Sequence, residues 1–169
     1  MVIKRILAFM LSAVSLFVNE VRKQKFEGSL DPRIRIAKSS IVHPSAMIFS
    51  ESGHIEIGEN STVNEYCIIH GLGGVKIGNG VRIGCHTVIH TVYHNFKRLD
   101  IPIWKQGTHG KPIIIEDDVW IGAHCTILGG VRIGAHSIIG AHSLVTIDIP
   151  PYSIAYGVPC KVRRTRKSF

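Results

Sequence analysis

The sequence predicts an all-β solenoid, a stack of short strands and turns. Two features point to it. Ile115, Ile121, Ile127, Ile133, Ile139 and Val145 fall six residues apart without a slip, as do Ile57, Val63 and Ile69. The tetrapeptide Ile-Gly-Ala-His also recurs at Ile121–His124, Ile133–His136 and Ile139–His142, so a small residue follows the aliphatic one. A period of six is neither the period of a helix nor the bare alternation of a strand. It is one short strand and one turn, repeated. The aliphatic side chain points inward, and glycine behind it lets the backbone turn without a Cβ penalty. One unit cannot bury its apolar side chain alone, so units must stack. After Gly71–Gly74 the frame shifts by two and resumes at Ile77, Ile83 and Ile89.

Residues 1–26 differ from the rest. Ile3, Ile6, Leu7, Met10, Val14, Phe17, Val18 and Val21 have helical spacing, bracketed by Lys4, Arg5 and Arg22. The apolar stretch is short for a membrane span, which needs about 20 residues. A signal peptide would begin this way, but the chain turns charged at once after Phe17-Val18 and offers no small-residue cleavage site. The expectation is an N-terminal amphipathic helix that packs on the solenoid or lies on a membrane surface. At 169 residues the chain suits one domain, and its formal charge of +8 favours an anionic partner. Cys67, Cys85, Cys125 and Cys160 are scattered with no Cys-x-x-Cys pair, which excludes a zinc ribbon or dithiol motif and suits a cytoplasmic protein.

Domain 27–160 is the solenoid. Residues 94–112, from His94 to Pro112, lose the six-residue register and are read as one extruded loop. Ile101, Ile103 and Trp104 are too apolar for a solvated loop, so it is expected to pack, on a neighbouring chain. Residues 161–169 are read as a basic C-terminal tail. His124, His136 and His142 recur at one place in their repeats and are expected in turns or as stacked polar rungs.

The periodic stretch from Ile36 to Pro159 resembles the hexapeptide-repeat family, whose chains wind into a left-handed parallel β-helix with three hexapeptides per coil. That resemblance implies about five coils here. The terminal "VTIDIPPYSIAYGVPCKVRR" and the preceding "PIIIEDDVWIG" are similar to segments of the sugar O-acetyltransferases in that family, the galactoside, maltoside and polysaccharide branch. The activity implied is acetyl-CoA-dependent transfer of acetyl to a sugar hydroxyl, in surface polysaccharide or lipopolysaccharide biosynthesis. Acetyl-CoA would be a co-substrate and no metal is expected. The family further implies a homotrimer with sites between subunits, and a cytoplasmic enzyme meeting a sugar or glycolipid acceptor, peripherally at the membrane through its N-terminal helix.

The site residues follow by resemblance. His94, in "HTVYHNF", stands where those enzymes carry a catalytic histidine. A sugar hydroxyl is a poor nucleophile, and an imidazole with an ordinary pKa near 6.5 is a suitable general base. His86 and His90 lie on the solenoid itself. Relatives often hold an acidic residue just before the histidine. Tyr93 stands there here, so a backbone carbonyl is the expected orienting group. Asn64 aligns with an acceptor-binding asparagine, although an asparagine there also fills a turn conformation. Leu72 falls where galactoside relatives have a carboxylate, which suggests a different sugar, with His70 the nearest polar replacement. Trp120 resembles a tryptophan beside the thioester arm, and is otherwise a large outward residue. Ala123, Ala141 and Thr146 fall on positions that contact coenzyme A. Ala123 replaces a hydroxyl residue, so its backbone N–H would serve any oxyanion. Ile147 replaces a basic residue. Lys161 and Arg164 match cations that meet the nucleotide phosphates, with Arg163, Arg166 and Lys167 around them.

Other functions of the same fold stay open. They are an N-acetyltransferase for a nucleotide-linked amino sugar, a serine O-acetyltransferase, a γ-class carbonic anhydrase and a non-catalytic scaffold. A nucleic-acid partner is not expected, because the basic end lacks interleaved aromatics.

Overall fold

Each coil carries three short strands, and each strand pairs with its counterpart in the next coil, which makes three coil faces. The computed structural model describes residues 31–166. The helix expected over 1–26 and the last three residues of the chain lie outside the described residues. The first coil is β1 (Ile34–Ile36), β2 (Ile41–Val42) and β3 (Met47–Phe49). The second is β4 (Ile55–Ile57), β5 (Thr62–Val63) and β6 (Ile68–His70), and the third β7 (Val75–Ile77), β8 (Arg82–Ile83) and β9 (Val88–His90). There the chain leaves the solenoid through β10 (Val92–His94), one 3-10 turn at Ile103–Lys105, and β11 (Thr108–Gly110). It returns as β12 (Ile113–Ile115), β13 (Trp120–Ile121) and β14 (Thr126–Leu128), then β15 (Arg132–Ile133), β16 (Ile138–Ile139) and β17 (Leu144–Val145). The end is capped by β18 (Ser153–Tyr156) and β19 (Lys161–Thr165).

Every third strand pairs in parallel with its counterpart one coil away. Face I stacks β1-β4-β7-β12-β15, face II β2-β5-β8-β13-β16-β18-β19, and face III β3-β6-β9-β14-β17. The first fourteen described solenoid strands and β17 therefore make five full coils of a parallel β-helix. The periodic aliphatics fill it. Ile57, Ile77, Ile115 and Ile133 stack in register under face I, each at most 2% exposed. Val63, Ile83, Ile121 and Ile139 do the same under face II, and Ile69, Ile89, Ile127 and Val145 under face III. Each such side chain contributes roughly 1.5–3 kcal/mol of burial.

The corners hold the turns. Tyr66, His86, His124 and His142 sit at one place in successive II–III corners, with φ between 56° and 60°. Their rings stack, His86 on His124 and His124 on His142 each at 4.8 Å and 4°. His136 has φ of 63° at a I–II corner and stacks on Tyr152. The repeated histidines are therefore left-handed turn residues and stacked rungs.

The two-residue slip at Gly71–Gly74 lies at a III–I corner, against the stretch where the extruded segment returns. A Cβ on Gly110 would come within 2.4 Å of the Gly73 Cα, and one on Gly73 within 2.4 Å of the Lys111 nitrogen. Thr91 accepts the Gly73 N–H at its hydroxyl, which donates to the His70 carbonyl. The basic segment expected as a tail is a strand over its first half. β19 runs antiparallel to β18 and extends face II.

Candidate active site

The extruded segment is a β-hairpin. β10 and β11 pair antiparallel, with His94 opposite Thr108 and Tyr93 opposite His109. Neighbouring residues on a strand point to opposite sides, so His94 and Tyr93 take different faces of the hairpin. The Tyr93 face is tied down. Its hydroxyl donates to the Gly129 carbonyl at 3.0 Å, its ring stacks on His109, and Lys111 Nζ lies 5.4 Å from the ring centre. Beyond it, Asn95 donates from its backbone to Gly107 and from Nδ2 to the Gln106 carbonyl, and its Oδ1 meets His109 Nδ1 at 2.8 Å. The His94 face is open. Its imidazole is exposed and has no hydrogen bond among the described residues, so the orienting backbone carbonyl expected for it is not present in them. The tip carries Leu99 and Trp104, 98% and 74% exposed among the described residues, with Lys105 Nζ 5.1 Å from the Trp104 ring centre.

Asn64 follows β5 at a II–III corner. Its N–H donates to Ile83, and the left-handed position of that corner is Tyr66. Asn64 therefore does not fill the special turn conformation, and its side-chain amide has no partner among the described residues. Two and three coils on, the same corner holds Ala123 and Ala141. Among the described residues no backbone hydrogen bond takes either N–H, while the Ala123 carbonyl accepts from His142 at 2.9 Å. The corner therefore presents unpaired donors stacked along the solenoid axis.

Face II continues from that corner. Trp120 is 56% exposed on β13, pairs in register with Arg82 and Ile138, and the same outward row runs through Ile154 to Arg164. Lys161 pairs with Tyr156 in β19. Of the basic residues expected around these two, Arg166 is engaged by Asp118 and the His136 carbonyl, and Arg163 lies over Tyr156. Lys161 and Arg164 carry no such partner among the described residues. Thr146 follows β17 at a III–I corner, away from Ala141.

His70 ends β6 on face III and is already paired. Its Nε2 meets the Glu51 carboxylate, and its ring lies 5.2 Å from His90 and 5.9 Å from Phe49. Burial and the adjacent His70 push the His90 imidazole below the usual histidine range, against the pull of Glu51. Glu51 was not singled out from the sequence, and His90 and Tyr93 were named there without these contacts. The coil length of about twenty residues was the available signal, since it stacks Phe49 beneath His70 and His70 beneath His90 and brings Glu51, two residues past Phe49, to His70.

These residues do not converge in one chain. His94 leaves from a III–I corner, whereas Asn64, Ala123 and Ala141 line the II–III corner. A face of five residues between corners spans about 15 Å at roughly 3.3 Å per residue. Among the described residues no group of three or more His, Cys, Asp and Glu side chains is arranged to hold a metal ion.

A solenoid of hexapeptide coils with one histidine-bearing hairpin defines a class of protein, and comparison with known proteins gives its family. Residues 112–146 match the bacterial transferase hexapeptide (six repeats) family. The galactoside O-acetyltransferase of Escherichia coli (strain K12) is 38% identical over 134 residues, 76% of this chain and 62% of its own. A hexapeptide-repeat acetyltransferase from Vibrio cholerae O1 biovar eltor, solved in complex with acetyl-CoA, superposes with a TM-score of 0.71 at 31% identity, over 88% of this chain and 82% of that one. A maltose O-acetyltransferase from Clostridium difficile 630 superposes with a TM-score of 0.70 at 26% identity, over 90% and 86%. The chain belongs to the hexapeptide-repeat acetyltransferase family. It spans less than two thirds of the length of the first curated relatives it matches.

Proposed function

We propose that this chain is an acetyl-CoA-dependent O-acetyltransferase acting on a sugar hydroxyl, of the kind carried by a surface polysaccharide or its lipid-linked precursor. The observation that carries this reading is the open His94 imidazole on a hairpin whose other face is pinned. A base on a rigid element with its own nitrogen unpaired can take a proton from an incoming hydroxyl. As the proton passes to His94, the hydroxyl oxygen attacks the thioester carbonyl carbon. The tetrahedral intermediate's oxygen accepts a hydrogen bond from the Ala123 N–H. Collapse breaks the C–S bond, and the imidazolium returns its proton to the coenzyme A thiolate. Trp120 lies along the thioester arm, Ala141 and Thr146 contact the cofactor through polar backbone or hydroxyl groups, and Lys161 and Arg164 hold the phosphates. Asn64 and His70 serve the acceptor.

The separation of His94 from the II–III corner supports a homotrimer with left-handed coils, in which one subunit's hairpin reaches its neighbour's corner. The faces differ in a way that favours this. Face I presents Arg35, Glu56, Lys76, Ile114 and Arg132 outward, four of the five charged, whereas face III presents the row Met47, Ile68, Val88, Thr126 and Leu144. The apolar row from Met47 to Leu144 is the one to bury against a second copy.

The test is thiol release from acetyl-CoA against a panel of glycosides, amino sugars and serine, with mass spectrometry of the product. Release that depends on a glycoside, with a mass gain of one acetyl ester on it, is the expected result. Release that depends only on an amine or on serine, or no acceptor-dependent release, overturns the proposal.

A further inference from the structure

The corner from which the hairpin leaves carries a second group of side chains. Glu51 adopts φ of 50°, a left-handed conformation uncommon outside glycine and asparagine. Its Oε1 is held by His70 Nε2, and its other oxygen has no partner among the described residues. Phe49, two residues back, is 48% exposed and meets the His70 ring edge-on. His90 follows in register on the next strand, immediately before the chain turns out toward His94. Phe49, His70 and His90 therefore line one outward row on adjacent strands, about 10 Å long at roughly 4.8 Å per strand.

The chemistry of the strip is specific. An ionised carboxylate only accepts hydrogen bonds, and one Glu51 oxygen is left without a partner among the described residues. An exposed aromatic ring beside it offers an apolar surface. Neutral His90, disfavoured from protonation by burial, offers one donor and one acceptor. A pyranose presents the complement, an apolar C–H face and adjacent hydroxyls at its edge.

We infer that Glu51, oriented by His70 and flanked by Phe49 and His90, forms a specificity subsite for one pyranose ring of the acceptor, its carboxylate accepting from two adjacent ring hydroxyls. This rests on the acetyltransferase reading above and adds the residues that select the sugar. Glu51 is a recognition residue that takes no part in the proton transfer, and His70 positions it.

The experiment measures methyl β-D-galactopyranoside, methyl α-D-glucopyranoside and their monodeoxy derivatives, by saturation-transfer NMR and by acetyl transfer, against the full chain and its Glu51→Gln and Phe49→Ala variants. Glu51→Gln keeps size and a hydrogen-bond partner for His70 while removing the charge. It should weaken binding of the best glycoside tenfold or more and leave the KM for acetyl-CoA unchanged. Deoxygenation at the recognised positions should weaken binding to the unaltered protein and make little further difference in Glu51→Gln. Phe49→Ala should weaken all the glycosides severalfold. No glycoside binding by the unaltered protein, or equal binding by Glu51→Gln with equal deoxygenation losses, overturns the subsite. Binding that follows this pattern without acetyl transfer leaves the subsite standing and overturns the enzymatic reading.

Discussion

The Tyr93 hydroxyl donates to the Gly129 carbonyl at 3.0 Å, joining the strand that carries His94 to a coil thirty-six residues later. The ring presses on a position that only glycine fits. A Cβ at Gly129 would lie 2.9 Å from the Tyr93 Cε2 and 2.9 Å from the Lys111 carbonyl oxygen. The bond anchors the hairpin that carries His94.

Tyr93→Phe keeps the ring and removes the bond. A net hydrogen bond is worth about 0.5–1.5 kcal/mol, so kcat should fall about two- to tenfold as the hairpin loses its fixed position. The KM for acetyl-CoA should not move, because the residues proposed to hold its nucleotide, Lys161 and Arg164, lie on face II. Amide exchange at Asn95 should quicken. An unchanged kcat with unchanged exchange would show that the hairpin needs no such anchor.

His94→Ala should lower kcat by about 10²–10⁴-fold, the usual worth of a general base, with the fold and oligomer size retained. His124→Ala and His142→Ala should leave kcat nearly intact, since these rings stack on one another at a corner. A fully active His94→Ala protein would falsify the assignment of the base.

Lys161 and Arg164 lie on β19 at the far end of the row that contains Trp120. Contacts to the phosphates of coenzyme A are equal in ground and transition states, so their loss raises KM and spares kcat. A charge-assisted hydrogen bond is worth about 1.5–3 kcal/mol, which predicts a rise of tenfold or more in the acetyl-CoA KM for Arg164→Ala. Added salt should shrink the difference by weakening the unaltered protein. If Arg164→Ala and Lys161→Ala combined leave that KM where it was, the strand does not hold the nucleotide.

Asp118 links the end of the chain to the I–II corner. It accepts from His136 Nδ1 at 2.9 Å and from Arg166 at 3.1 Å, and these bonds hold its carboxyl below the usual value, His136 foremost. A carboxylate whose pKa is lower folded than unfolded adds stability above the unfolded value, and that stability disappears as pH falls through the folded one. Melting temperature should therefore drop below about pH 4, near the ordinary aspartate pKa. Asp118→Asn should be less stable at neutral pH and show a shallower fall in acid. Parallel curves for the two proteins would assign the acid sensitivity to other groups.

Much of the fold was legible because periodicity is a local property. Ile121, Ile127, Ile133 and Ile139 each state in sequence which way they point, and the coils stack only if they point inward. The break at His94 was equally visible, since a segment without register cannot continue a coil. His94 emerged at the mouth of a loop from that break and from family resemblance, and the Ile-Gly-Ala-His histidines emerged as turns. Asn64 and His70 were singled out singly, without their surroundings. The local signal was silent on which corner each residue occupies, because a corner depends on the summed length of every turn before it, including the longer turns at Gly71–Gly74 and at the hairpin.

What the sequence alone determined, then, is the repeating unit, its buried face and the point of interruption, because burial of an aliphatic every six residues is decided within a few bonds. What only the tertiary structure decided is which distant residues share a surface. Glu51 meets His70 across nineteen residues, Tyr93 meets Gly129 across thirty-six, and Arg166 meets Asp118 across forty-eight. Each pairing requires whole coils to be wound and stacked first. The same winding sends His94 and Asn64 to different corners, which makes a second subunit part of the proposed site.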